Sequence, residues 1–176
     1  MKILLDKIDD EGLDVDEPVT STWLRQVLGA DFNYQPTRDG RLRVRLSRVD
    51  DVVHVQGKAV LDLVAPCSRC LRAVPVALTA PLQVTMVPRE QEPAPGEDGE
   101  LSNEDVGISI YEDREIDLAR VVRDEVFLEL PMQALCSEDC QGLCASCGKN
   151  LNEGACGCAS QATDERWSAL ARIKLT

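Results

Sequence analysis

"RLRVRLSRV" occupies residues 41–49 and alternates strictly between two kinds of side chain. Leu42, Val44 and Leu46 fall on one side, and the arginines between them fall on the other. This period of two is typical of a β-strand that has one buried and one exposed face. The stretch therefore predicts a strand that places a row of positive charges on the solvent side of a sheet.

Two later stretches repeat the alternation. They are "VHVQGKAVLDLVA" (53–65) and "VPVALTAPLQVTM" (74–86), and "GISIY" (107–111) predicts a further short strand. Because the first three strands follow one another closely, they favour an antiparallel meander.

Helical periodicity appears in three places. "STWLRQVL" (21–28) predicts an amphipathic helix that Ser21 or Thr22 caps and Gly29 ends. A second helix is expected over 117–130, with Asp117 as its cap and Pro131 as its stop. A third is expected near the end of the chain, over 163–173.

These elements predict an α+β fold in which an antiparallel β-sheet, either a meander or a partial barrel, packs with two or three helices. The expected organisation is an α+β body (1–135) that carries an acidic loop (89–107), followed by a cysteine-rich zinc segment with the last helix (136–176). We expect the two parts to pack together as one domain.

The composition limits the compartment and the class of protein. The chain has 176 residues, of which 44% are apolar, so it can bury a core without disulfide staples. The start of the chain resembles neither a signal peptide nor a transit peptide, and no apolar run is long enough to span a bilayer. We therefore expect a cytoplasmic protein whose thiols are reduced, with no membrane partner and no small-molecule substrate.

The net charge of −12 is unevenly distributed. Residues 1–17 carry seven acids against two lysines, and 89–107 carry seven more against one arginine. The rest of the chain is nearly neutral, so the overall acidity does not exclude a nucleic-acid surface.

Eight cysteines form four close pairs, which is the number that two four-thiolate zinc sites need. We expect two zinc ions per chain. The first site is predicted to use Cys67, Cys70, Cys136 and Cys140. The second is predicted to use Cys144, Cys147, Cys156 and Cys158.

Two other interpretations of the cysteines stay open at the level of sequence. A disulfide framework is unusual in a reducing compartment. A redox-active Cys-x-x-Cys pair normally opens a helix, whose dipole lowers the thiol pKa, and neither 67–70 nor 144–147 precedes an evident helix.

Four stretches resemble the YceD-like family of large ribosomal RNA subunit accumulation proteins. These stretches are "GKAVLDLVAPCSRCLRAVPV" (57–76), "REIDLARVVRDEVFLELPMQALC" (114–136), "CQGLCASCGKNLNEGACGC" (140–158) and "DERWSALARIK" (164–174). The resemblance implies a role in the accumulation or processing of 23S rRNA and in ribosome biogenesis. The implied partners are a precursor of the large ribosomal subunit, rRNA or a basic ribosomal protein.

The basic side chains suggest where RNA would bind. Arginines on one exposed strand face can neutralise successive phosphates, although a solvated sheet face explains the same pattern. The candidate RNA-binding residues are Arg41, Arg43, Arg45, Arg48, Lys58, Arg69 and Arg72.

The acidic segments 1–17 and 89–107, which we expect to be flexible, suggest an alternative function as a chaperone-like binder of a basic ribosomal protein. An enzyme, whether a thiol oxidoreductase or a hydrolase, is not expected because His54 is the single histidine and no phosphate loop or nucleophile motif is present. A DNA-binding zinc ribbon is disfavoured because residues 136–158 are acidic.

Overall fold

The computed structural model describes residues 1–29, 32–91 and 107–158. Its main sheet follows the strand order β2-β4-β5-β6-β7, with β3 paired to β5 outside this path. These strands are β2 (Leu13–Val19), β3 (Gln35–Pro36), β4 (Gly40–Val49), β5 (Val52–Pro66), β6 (Ala73–Pro88) and β7 (Ile108–Tyr111). A separate two-stranded sheet pairs β1 (Lys2–Leu4) with β8 (Glu115–Asp117).

The three strands predicted from alternation form the centre of the sheet. The strands β4, β5 and β6 pair antiparallel, and the apolar side of each is buried. The close approach of β4 and β5 requires glycine at one position, since a Cβ on Gly57 would lie 2.1 Å from the carbonyl oxygen of Arg43.

The two α-helices of the described residues occupy predicted segments. Helix α1 (Ser21–Leu28) is capped by Thr20, whose side chain accepts a hydrogen bond from the Trp23 N–H, so the expected cap at Ser21 or Thr22 was displaced by one or two residues. Helix α2 (Leu118–Glu129) has the predicted cap, because the Asp117 carboxylate accepts from the Ala119 N–H.

The larger apolar core of the described residues lies between the sheet and the helices. It contains Leu42, Leu46 and Val55 from the sheet, together with Leu24 from α1 and Val122 from α2, all at most 1% exposed. Burying such side chains contributes about 1.5–3 kcal/mol each. No helix among the described residues has the length and hydrophobicity needed to cross a bilayer.

The expectation of a purely antiparallel sheet was wrong in one pairing. Strand β7 runs parallel to β6, so the sheet is mixed. Parallel neighbours need a long connection, whereas a hairpin joins antiparallel ones. The 19 residues between the two strands, 89–107, supply that length.

The expectation that both acidic segments are flexible was wrong for the first. Residues 13–19 form β2, an edge strand that pairs antiparallel with β4. Pro18 is compatible with this place because an edge strand leaves one row of N–H groups unpaired. Aspartate and proline are depleted in strands, and this composition hid the alternation of Leu13, Val15 and Val19.

Two predicted segments lie outside the described residues. These are most of the acidic loop 89–107 and the whole of the expected helix 163–173.

Candidate metal centre

The tip of the β5–β6 hairpin is a tight turn over residues 67–72, here called the inner knuckle. The Cys67 N–H donates to the Arg72 carbonyl at 2.8 Å, and the Leu71 N–H donates to the Cys67 carbonyl at 2.9 Å. Leu71 has a positive φ of 61°, which closes the turn. The turn thus holds the sulfur atoms of Cys67 and Cys70 within 4.8 Å of each other.

Residues 144–149, the outer knuckle, repeat the same turn. The Cys144 N–H donates to the Lys149 carbonyl at 2.8 Å, and the Gly148 N–H donates to the Cys144 carbonyl at 2.9 Å. Gly148 has a φ of 71° and takes the place that Leu71 has in the inner knuckle. The two knuckles therefore share one backbone conformation although their sequences differ.

The inner cluster combines the two cysteines of the inner knuckle with Cys136 and Cys140, which follow α2. Their four sulfur atoms all lie within 4.8 Å of one another. The sulfurs of Cys67 and Cys140 are 3.8 Å apart, and those of Cys70 and Cys136 are 3.6 Å apart. Three of the four cysteines are buried, and Cys136 is half-buried.

These distances fit a tetrahedral metal ion. A zinc ion with Zn–S bonds of about 2.3 Å requires its sulfurs to be roughly 3.8 Å apart. A disulfide requires about 2.05 Å, and all eight cysteines, which lie within the described residues, are free. The inner cluster can therefore hold a metal ion without rearrangement.

Backbone and side-chain contacts fasten the segment after α2 to the inner knuckle. The Ser68 N–H donates to the Ala134 carbonyl at 2.8 Å. The Arg69 guanidinium donates to the carbonyls of Glu138 at 3.0 Å and Cys140 at 2.9 Å. Arg69 was predicted to bind RNA, and in the structure its hydrogen bonds hold this site together.

The electrostatics of the inner cluster favour a bound cation. The backbone N–H of Cys70 lowers the pKa of Cys67 to about 6 and outweighs the effect of burial. A hydrogen bond from Arg72 lowers the pKa of Cys136. The backbone N–H of Arg72 also acts to lower the pKa of Cys70, but burial and the three neighbouring sulfurs outweigh it and raise that pKa to about 12. Four thiolates this close can coexist only if a positive ion compensates them.

The outer cluster is Cys144, Cys147, Cys156 and Cys158, whose sulfurs also lie within 4.8 Å of one another. The backbone N–H groups of Cys147 and Ser146 lower the pKa of Cys144 to about 6. The three neighbouring sulfurs, that of Cys147 first, raise the pKa of Cys158 to about 12. Unlike the inner cluster, this cluster is open to solvent, because Cys147 and Cys158 are exposed.

The arginines of β4, here called the arginine row (Arg41, Arg43 and Arg45), face the acids of β2. Arg41 lies 2.6 Å and Arg43 3.4 Å from carboxylate oxygens of Asp16, and Arg45 lies 2.8 Å from Asp14. The acidic start of the chain thus neutralises part of the basic face that the sequence predicted.

The other predicted RNA-binding residues lie in different parts of the structure. Lys58 is exposed opposite Arg43 on the neighbouring strand, so it extends the arginine row. Arg48 donates to the Asp50 carbonyl at 2.6 Å. Arg69 and Arg72 belong to the inner knuckle, so the seven residues are spread over more than one surface.

His54 lies on the exposed side of β5. Its Nδ1 atom is 3.1 Å from the hydroxyl oxygen of Thr85 on β6. This contact is an ordinary cross-strand hydrogen bond between two sheet residues.

A family model for "Large ribosomal RNA subunit accumulation protein YceD" matches residues 55–174. The chain belongs to the YceD family. The YceD match includes all eight cysteines and begins after the arginine row and Arg48. Both cysteine clusters therefore lie in the part of the chain that matches the family, whereas β2 and all of β4 lie before it.

Individual relatives cover different shares of the chain. An uncharacterized protein of Mycobacterium tuberculosis (strain ATCC 25618 / H37Rv) is 32% identical over 132 residues, 75% of this chain and 60% of its own length. Two plant proteins bear the name "Large ribosomal RNA subunit accumulation protein YCED homolog 1, chloroplastic". The one from Arabidopsis thaliana is 36% identical over 61 residues, 35% of this chain and 19% of its own length. The one from Zea mays is 29% identical over 136 residues, 61% of this chain and 46% of its own length.

This YceD-family chain thus spans less than two thirds of these relatives. No solved structure matches it significantly.

Sequence reasoning missed the residues that surround the sulfurs. Asn152 donates from its Nδ2 atom to the Cys140 sulfur at 3.4 Å. The sequence pattern placed Arg69 and Arg72 on a basic surface, and it placed Asp14 and Asp16 in the flexible acidic segment 1–17. Cysteine spacing reveals ligands, but it carries no signal for which polar side chains the fold brings beside them.

Proposed function

We propose that this chain is a zinc-binding, non-enzymatic factor in the accumulation and processing of large-subunit (23S) rRNA, acting in the cytoplasm with assembling particles. The observation that carries the proposal is the match of residues 55–174 to the YceD family, which is described by accumulation of large ribosomal RNA. The two cysteine clusters, whose sulfurs lie within 4.8 Å of one another in each, support the metal-binding part of the proposal.

Zinc is the metal that the chemistry of the donors favours. Four thiolates in tetrahedral array are typical of structural zinc sites, whereas calcium and magnesium select oxygen ligands. The inner site would use the inner cluster, and the outer site the outer cluster. Bound zinc would supply the positive charge that keeps all four sulfurs of each cluster ionised.

A structural role for the metal supports the proposal that the chain is not an enzyme. Catalytic zinc keeps one position open for water or substrate. Each cluster here offers four sulfurs to one ion. The thiol redox alternative is less well supported, because Cys67 and Cys144 each lie among three other sulfurs and neither knuckle opens an α-helix.

RNA contact through the arginine row remains part of the proposal. Its ion pairs with Asp14 and Asp16 are exposed to solvent, and water and salt screen such pairs so that they add little to stability. A phosphate could therefore replace an aspartate without much loss of stability. The alternative, an acidic binder of a basic ribosomal protein, draws less support from residues 1–17, because Asp6, Asp14 and Asp16 pair with arginines.

The proposal is tested by sedimentation of ribosomal particles from cells that lack the protein. We expect less mature large subunit and accumulated precursors of its rRNA, both restored by the unaltered chain. Replacement of Cys67 and Cys70 by Ser should fail to restore them, whereas replacement of the exposed Leu128 by Ala should succeed. An unchanged particle profile without the protein would contradict the proposed role.

A further inference from the structure

The outer cluster contributes a side chain to the inner one. Asn152 lies in a short 3-10 helix, Leu151–Glu153, between the outer knuckle and Cys156. Its Nδ2 atom lies 3.4 Å from the sulfur of Cys140, which is only 3% exposed. Cys140 thus receives a hydrogen-bond donor from the loop that the outer cluster closes.

The orientation of the Asn152 amide is fixed by its other partners. Its Oδ1 atom accepts from the Gln141 N–H at 2.8 Å, and only an oxygen can take that place. Nδ2 consequently faces the sulfur, and its second hydrogen reaches Oδ1 of Asn150 at 2.6 Å. Reversal of the amide would place its oxygen against the Cys140 sulfur and lose the hydrogen bonds to the Gln141 N–H and to Oδ1 of Asn150.

The backbone around Asn152 is held by contacts that belong to the outer loop. Asn150 caps the short helix by accepting from the Asn152 N–H at 3.1 Å. The Leu151 N–H donates to the Gly142 carbonyl at 2.9 Å. Since the four ligands of the outer cluster span 144–158, a metal bound there would tie down both ends of the segment that carries Asn152.

We propose that Asn152 is a positioning residue that couples the two metal sites, so that metal in the outer cluster strengthens the hold of the inner cluster on its own metal. This inference rests on the metal binding in the proposed function. Donors to ligand atoms typically change metal affinity 10–100-fold when they are removed. We therefore expect filling of the outer site to tighten the inner site by about that factor.

The coupling can be measured on the full chain by zinc competition with a chromophoric chelator. Asn152→Ala, and the isosteric Asn152→Asp, should weaken the inner site 10–100-fold. Gln141→Ala is the matched control, because it removes the neighbouring side chain and keeps the N–H that binds Asn152. It should leave both sites unchanged.

A second background isolates the inner site. The double variant Cys147→Ser with Cys158→Ser changes two exposed outer ligands, and should retain one zinc of weakened affinity. Adding Asn152→Ala to this double variant should not weaken the inner site further, because the loop without its metal no longer holds the Asn152 amide beside the Cys140 sulfur. Circular dichroism verifies that each variant keeps its sheet.

The outcomes separate the two proposals. Inner-site affinity that is unchanged in the outer-site double variant, or an undiminished effect of Asn152→Ala in that background, would overturn the coupling. A chain that binds no zinc at either cluster would instead contradict the metal binding on which the coupling rests.

Discussion

Leu71 and Gly148 occupy the same position in the two knuckles, and the backbone conformation there favours the glycine. Both have left-handed φ values, 61° for Leu71 and 71° for Gly148. Side chains with a Cβ cost roughly 1–2 kcal/mol in this conformation, whereas glycine adopts it freely. Leu71 is also 65% exposed, so its side chain gains little from packing.

We therefore expect Leu71→Gly to raise the free energy of unfolding by up to about 1 kcal/mol, and Gly148→Leu to lower it by about 1 kcal/mol. Denaturant titration of the zinc-loaded chains measures both. Leu71→Ala is the control, because it removes the exposed side chain but keeps the Cβ, and it should change little. A loss of stability in Leu71→Gly would show that the leucine side chain makes contacts that outweigh its backbone strain.

At the scale of elements, backbone pairing holds β2 to β4, and exposed ion pairs between the two strands add a small, pH-dependent contribution. A hydrogen bond from Arg41, followed by the charges of Arg41 and Arg43, lowers the pKa of Asp16 below its ordinary value of 3.8. A carboxyl with a depressed pKa in the folded state stabilises that state above its unfolded pKa. This contribution is lost as the pH falls through the folded pKa.

Comparison of the unaltered chain with Asp16→Asn tests this linkage. We expect the unaltered chain to have the higher urea midpoint at pH 7, and the two midpoints to converge as the pH falls below 3.8. Protonation of cysteines in acid releases metal from both chains, so the difference between them is the informative quantity. A constant difference down to pH 2 would exclude Asp16 as the titrating group.

The arginine row has a test of its own. If it binds RNA, replacing Arg41, Arg43 and Arg45 by Gln should weaken binding to a large-subunit rRNA fragment and reduce the salt slope by about 2–3, one phosphate contact for each arginine. Asp14→Asn with Asp16→Asn should strengthen binding, because it frees the same guanidinium groups. Equal affinity in all three chains would mean that the row is only a solvated sheet face.

The elements that could be predicted from sequence are those whose own side chains carry the signal. Strict alternation identified β4, β5 and β6, and Asp117 with Pro131 marked the ends of α2. The strand β2 was missed because Asp and Pro masked its alternation. The parallel pairing of β7 depends on where a long connection returns, which no local pattern records.

The candidate site shows the same division. Paired cysteines at short spacing predicted the two sets whose sulfurs the structure brings together. The donors around them come from residues distant in sequence or embedded in polar runs, such as Arg72 and Asn152. These donors lie beside the sulfurs only because β5 and β6 pack against the segment after α2. That tertiary packing leaves no local pattern in the sequence.

At the scale of the whole molecule, the apolar core and the inner cluster are separate stabilising units. The core joins the sheet to α1 and α2, whereas the inner cluster packs with Val74, Leu135 and Leu143 at the hairpin tip. Because the core does not depend on the sulfurs, removal of metal should leave the sheet folded and release the segment 136–158.

Exhaustive chelation followed by circular dichroism and limited proteolysis tests this separation. We expect the strand signal to persist and cleavage to begin within 136–158. Return of zinc should restore resistance to the protease. Cooperative loss of the whole sheet on chelation would show instead that the metal sites hold the entire fold together.

If the eight cysteines of this YceD-family protein form two metal sites, the purified chain should contain a fixed number of zinc ions. The most direct measurement is the zinc content of the full chain, by native mass spectrometry and elemental analysis after purification without chelator. We predict two zinc ions per chain, and one in the double variant Cys147→Ser with Cys158→Ser. A metal-free chain with eight thiols that react freely would contradict the account.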